Sequence, residues 1–261
     1  MQQWIMQYLP VFLLVFVRMT AFMVTVPVFS ARGVPNQVKV GLSFFAAFLS
    51  FSYIPQTAPI PLDLAFALHA VKEALVGIML GLVLQIVFFA VQVAGGLIDM
   101  QNGFALANVI DPRTGAYVPL TGNFKNILAT LYFLSIDGHH MLIRGIITSY
   151  QAVPIDLQWG PLGSEALFLL VVKVFGYMFM SAFLIAAPVV VALFLVDLSL
   201  GIIAKSVPQF NIFVVGLPIK IFASFLVLLV VMPGFLVVLS ELFKNMFLAM
   251  SEMMTILGGQ R

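Results

Sequence analysis

Cysteine is absent from the 261 residues. Disulfides, thiolate metal sites and cysteine nucleophiles are thereby excluded. Charge is almost as scarce: 8% of residues are Asp, Glu, Lys or Arg, against about 25% in an ordinary soluble domain. So few charges cannot cover a water-facing surface. The net charge is +2, too little for a polybasic face that would hold nucleic acid. No basic segment precedes the first apolar run, and no small-residue cleavage site follows it, so that run reads as a retained segment. What remains is apolar. Hydrophobic residues make up 62% of the chain, and the mean hydropathy is +1.15. The apolar runs are continuous, which points to membrane helices rather than to the alternating strands of a barrel.

Six apolar blocks are expected, at about 4–29, 40–54, 63–98, 127–147, 165–204 and 212–250, the fourth interrupted by Asp137-Gly138-His139-His140. They form one membrane-embedded helical domain over 1–261, an all-α integral membrane protein with no internal repeat. Pro55, Pro59 and Pro61 separate the second block from the third, because proline lacks an amide donor and clashes with the preceding turn. A stretch over 95–126 is rich in Gly, Asn, Asp and Pro and reads as the longest non-helical segment. The third, fifth and sixth blocks are too long for simple spans. A helix of about 35 residues reaches roughly 52 Å, against a hydrocarbon core of roughly 30 Å. Breaks at Gly95-Gly96, Pro188, Pro218 and Pro233 would turn several of these blocks into hairpins; otherwise the helices extend beyond the lipid. Arg32, Lys39, Arg113, Lys125 and Lys205 fall in odd-numbered connections, which places both termini outside the cytoplasm by the positive-inside rule.

Six ionisable residues lie inside apolar blocks: Arg18, Lys72, Glu73, Lys173, Asp197 and Lys220. Charges in lipid are costly and turn toward protein or water. They read either as an ion relay or as salt bridges between helices. No two acidic residues cluster at helical spacing, which favours salt bridges. His69 and Glu73 are four apart and could pair. His139-His140 invites a metal reading, but neighbours on a helix point about 100° apart and zinc needs at least three protein ligands. A structural role is expected there, and no metal. No G-x-S-x-G elbow or H-E-x-x-H motif occurs, so no catalytic residue and no cofactor site is assigned. Gly77 and Gly81 form a small-xxx-small pair that lets helices approach closely.

Several segments carry a family resemblance. Gly95-Gly96-Leu97-Ile98-Asp99-Met100-Gln101-Asn102-Gly103, continuing to Asp111-Pro112, resembles the signature loop of the FliR/SctT family. Phe133 to His139, with Asp137-Gly138-His139, resembles that family's Gly-His segment. Pro208-Gln209-Phe210-Asn211-Ile212-Phe213, followed by Gly216-Leu217-Pro218-Ile219-Lys220, matches most specifically. Arg18, Pro27, Phe29, Pro35, Lys39, Glu73, Gly77, Gly81 and Ala187-Pro188 also fit, in order along nearly the whole chain.

The resemblance implies a non-enzymatic subunit of a type III protein export gate, of flagellar rather than virulence type. One copy would sit with FliP and FliQ in a helical hetero-oligomer, served by the export components FlhB and FlhA. Its location would be the bacterial inner membrane at the flagellar basal body, passing unfolded polypeptides. Residues of about 1–147 would be FliP-like and those of about 148–261 FliQ-like. The central loop would enter the channel and help to plug it through Phe104, Leu106, Val109 and Ile110, hinged at Gly95, Gly96, Gly103 and Pro112. Family members carry phenylalanine at the positions of Leu106, Val109 and Ile110, so the seal here would rest on excluding water. The competing reading, a small-molecule secondary transporter, would require two similar halves, and the sequence has no such symmetry.

Overall fold

A computed structural model of the chain describes residues 2–31, 33–51, 54, 63–103, 119–156, 163–207 and 212–259. These residues form seven helices: α1 (Gln2–Thr25), α2 (Asn36–Phe51), α3 (Leu64–Asn102), α4 (Leu120–Ser135), α5 (Gly138–Ala152), α6 (Glu165–Ser206) and α7 (Ile212–Leu257). Among the described residues there is no strand. Four helices contain stretches long and apolar enough to cross a membrane: 8–25, 64–102, 165–206 and 214–257.

The three long blocks are unbroken, contrary to the hairpins expected of them. α3, α6 and α7 contain 39, 42 and 46 residues, or about 58, 63 and 69 Å at 1.5 Å per residue. Pro188 lies inside α6, and Pro218 and Pro233 lie inside α7. Proline forfeits one helical hydrogen bond, which a membrane helix tolerates where neighbouring helices or side chains satisfy the freed carbonyl. The fourth block is interrupted, at the polar run 137–140 that marks it in the sequence. Asp137 adopts φ 58° and ψ 25°, a left-handed conformation that ends α4 and starts α5. Helix also invades the stretch read as a loop over 95–126, since α3 continues to Asn102 and α4 begins at Leu120.

Gly95 explains part of this. A Cβ there would collide with the backbone of Gly122 in α4. Two bare backbones pack against each other where a hinge was expected. Gly96 is also inside α3, so neither glycine is a loop hinge. Gly103, at φ +80°, does end α3 in the conformation that glycine adopts without penalty.

Two compact units divide the chain. The first comprises Met1–Val87, Leu134–Phe175 and Lys244–Arg261. Its core includes one stripe of α1, with Leu14, Arg18, Met19 and Phe22 all fully buried at the three- and four-residue spacing of a helix face. Gly77 and Gly81 bring α3 onto α1: a Cβ on Gly77 would lie 2.5 Å from the Arg18 carbonyl oxygen, and one on Gly81 would strike Thr25. On the α2 side, Phe12 of α1 meets Phe44 and Phe51 edge-on at 5.6 and 6.0 Å. The second unit comprises Phe88–Phe133 and Gly176–Phe243. Its aromatic centre is Phe243, 5.0 Å from Phe133 and stacked at 5.7 Å on Phe88.

Candidate functional site

Within the first unit, α1, α3 and α5 converge on a buried ionic cluster. Arg18 donates from Nε to Glu73 Oε2 at 2.5 Å and from Nη2 to Glu73 Oε1 at 3.0 Å. This two-point match of a planar guanidinium to a carboxylate is the strongest arrangement such a pair can take. Both side chains are 0% exposed. Lys72 adds a second cation, 3.1 Å from Glu73 Oε1. Two buried positive charges thus face one negative charge. The residues just past the end of α5 supply the balance: Arg18 donates to the Val153 carbonyl at 2.8 Å, and Lys72 donates to those of Pro154 at 3.1 Å and Ile155 at 2.6 Å. Buried cations are satisfied by such carbonyl oxygens as well as by carboxylates.

Tyr150 closes the cluster, its ring 4.1 Å from the Arg18 guanidinium carbon. Its hydroxyl donates to the Val15 carbonyl at 3.1 Å, and burial pushes its ionisation well above the ordinary tyrosine range. Ser149 Oγ accepts from Arg18 Nη1 at 3.1 Å. Glu73 is engaged by Arg18 and Lys72, not by His69.

The second unit ties the end of α3 to α6 and α7. Lys220, in α7, donates to Asp197 of α6 at 2.9 Å. Gln101 Nε2 donates to the same carboxylate at 2.9 Å. One residue on, Asn102 Nδ2 donates to Ser224 Oγ at 2.9 Å. A Cβ on Gly103 would lie 3.1 Å from Leu217. Asp99 holds the start of α4, both carboxylate oxygens accepting from the Thr121 amide at 3.1 and 3.2 Å, where the helix N-terminus favours negative charge. Lys125, 3% exposed, lies over the Phe235 ring at 5.1 Å, and burial lowers its amine to about 8. It lies inside α4, as Lys39 lies inside α2 and Lys205 inside α6. Three of the five cations counted for topology therefore sit in helices rather than in connections.

The residues singled out in the sequence divide accordingly. Arg18, Glu73, Gly77 and Gly81 come together in the first unit. Gln101, Gly103 and Lys220 come together in the second. Gly216 and Pro218 fall inside α7, so the part of the expected turn over 212–220 is helical. Phe104, Leu106, Val109, Ile110, Asp111, Pro112, Pro208, Gln209 and Asn211 lie outside the described residues. Gly138 and His139 begin α5. The 100° offset between neighbours does not separate the two imidazoles, whose centroids are 4.1 Å apart.

Sequence reasoning assigned no role to Tyr150, Ser149 or Ser224, and marked Asp99 only as part of the signature run. Tyr150 lies 135 positions from its partner Val15, and no local pattern marks such a pair. Asp99 offered a signal: a carboxylate within an apolar run needs a partner.

Arg18 and Lys72 thus pair with Glu73 in the first unit, and Lys220 with Asp197 in the second. The family described as "Bacterial export proteins, family 1" matches residues 9–246. The flagellar biosynthetic protein FliR of Bacillus subtilis (strain 168) is 45% identical over 254 residues, covering 97% of this chain and 98% of that protein. The protein of the same name from Escherichia coli (strain K12) is 31% identical, covering 97% and 96%. That of Aquifex aeolicus (strain VF5) is 29% identical, covering 92% of each. The chain therefore belongs to the bacterial export proteins of family 1, the family of the FliR flagellar biosynthetic proteins.

Proposed function

We propose that this chain is a non-catalytic subunit of the flagellar type III export gate and forms part of the channel through which unfolded polypeptides cross the bacterial inner membrane. The observation that carries this reading is the end-to-end match to a flagellar biosynthetic protein, 45% identical over 97% of the chain. The long helices are consistent with it. At about 58 to 69 Å, α3, α6 and α7 exceed what a bilayer needs, as subunits of a tall assembly would. Of the most apolar stretch of α7, only 11% is buried within the chain. That leaves a large apolar face for lipid and for neighbouring subunits. The secondary-transporter reading has no comparable support.

FliP and FliQ are the partners in this proposal, with one copy of this chain per complex and FlhA and FlhB acting beside it. Halves resembling FliP and FliQ would let one chain stand in for a neighbour of each kind. Native mass spectrometry of the purified complex is the test of assembly. A stable folded monomer or a symmetric homo-oligomer would count against it.

The segment 104–118 is proposed as part of the closed channel's seal. It follows in sequence on Gln101, Asn102 and Gly103, which meet side chains of α6 and α7. Phe104, Leu106, Val109 and Ile110 are apolar residues in a polar segment, suited to exclude water from a constriction. Deleting 104–110 should leave the complex assembled while raising membrane conductance to small ions in the absence of substrate. An assembled, fully ion-tight deletion variant would place the seal elsewhere.

A further inference from the structure

The turn between α4 and α5 brings together one carboxylate and two imidazoles. We propose that Asp137, His139 and His140 form a binding site for a divalent first-row transition metal of the Zn²⁺ class. Each residue offers a ligand atom, and all three atoms lie within 4.8 Å of one another. Zinc holds nitrogen and oxygen ligands at about 2.0–2.2 Å, so tetrahedral neighbours stand roughly 3.3–3.5 Å apart. The remaining closure is small. Asp137 and His140 can supply it by side-chain rotation, because their side chains are 76% and 68% exposed.

The local structure releases these groups for such a role. Asp137 is the N-cap of α5, yet its side chain makes no capping hydrogen bond. The carboxylate instead meets His140 Nδ1 at 3.2 Å. His139 Nδ1 is buried and has no hydrogen-bond partner, which leaves that imidazole one unmet polar atom. The two rings lie 4.1 Å apart, centroid to centroid, and are inclined at 40°, so both imidazoles stand at the same turn. Without cysteine in the chain, the donor set is two nitrogens and a carboxylate. Imidazole suits zinc, copper and nickel, whereas magnesium and calcium prefer all-oxygen sets. Three protein ligands leave a fourth position to water. The positive end of α5 opposes a cation, but the exposure of the turn screens that effect and the Asp137 charge offsets it. Such an ion would bridge the left-handed Asp137 to the first turn of α5 and stiffen the joint between the two helices.

The chain has three histidines, so His69 is the internal control. The test uses the full chain in its detergent-purified membrane assembly, with variants differing only at this turn. Zn²⁺ binding is read by equilibrium dialysis, and Co²⁺ by its visible d–d bands. Unaltered protein should bind one more ion per copy of this chain than the His140→Ala and Asp137→Asn variants, and His69→Ala should match the unaltered protein. Each turn variant should bind at least about tenfold more weakly, since even outer-shell changes cost that much at metal sites. Zn²⁺ should also raise the unfolding midpoint of the unaltered protein and not that of His140→Ala. His140 is exposed, so that variant folds, and its yield checks this. Equal stoichiometry across the variants, loss of binding on His69→Ala, or binding only at millimolar Zn²⁺ would overturn the site and leave a hydrogen-bonded surface pair.

Discussion

The two units each carry a cation paired with a carboxylate between helices, and the pairs differ in their access to water. Arg18 and Glu73 are both 0% exposed and joined at two points. Lys220 and Asp197 are 15% and 39% exposed and meet through one amine. The first pair binds α1 to α3, with the residues just past α5 capping it through three carbonyls. The second binds α6 to α7 and recruits the end of α3 through Gln101. A buried charge that loses its partner costs about 3–5 kcal/mol, whereas a solvated pair contributes roughly 0–1 kcal/mol. The first cluster is therefore a condition of folding, and the second adjusts the position of the segment that leads into the 104–118 loop.

Glu73→Gln should have the largest effect, because it leaves Arg18 and Lys72 buried without a counter-charge. A loss of about 3–5 kcal/mol would nearly empty the membrane of intact protein. Arg18→Gln should be milder, since Lys72 still pairs with Glu73. Immunoblots of membrane fractions, with unfolding midpoints where protein survives, order the two. Equal damage from both would show that the carbonyls just past α5 do not offset the extra cation. Gly81→Val comes next. Its side chain would meet Thr25 and force α1 from α3, and overpacking costs about 1–3 kcal/mol. The measure is abundance of the assembled complex, and near-normal abundance would mean the helices can separate freely.

Asp197→Asn should cost about 1 kcal/mol or less at this exposure. Lys220→Leu should cost more, since it strands a half-buried carboxylate, and should lower complex abundance more than it changes ion leakage. Normal assembly with a leaking channel after Lys220→Leu would transfer that pair from construction to gating. The smallest effect is expected at Lys173 and Glu252, 67% and 43% exposed. Lys173→Gln should leave abundance and export within experimental scatter. A clear loss there would indicate that a neighbouring subunit covers this pair.

The helical membrane class, the order of the elements and the family were legible in the sequence, because each rests on local information. Hydropathy reports on solvent residue by residue, and motifs such as Gly216-Leu217-Pro218-Ile219-Lys220 stand contiguous in the chain. Helix boundaries were less so. Gly95-Gly96 and Pro218 resemble breakers, yet Gly95 packs on Gly122, and Pro218 lies inside α7. The break in the fourth block was legible as the polar run Asp137-Gly138-His139-His140, whereas the left-handed conformation that makes it belongs to the structure.

The sequence by itself determined that six charges would need partners inside apolar helices. Only the tertiary structure decided which partners. Desolvation makes the need a property of each residue, whereas satisfying it depends on distance. Arg18 finds Glu73 55 positions away and Val153 135 positions away, and no local rule encodes separations of that kind. His139 and His140 show the same division at short range. Their identities supply the imidazoles, but the left-handed turn at Asp137 brings a carboxylate beside them, because a helix continued through that residue would have carried its side chain to another face.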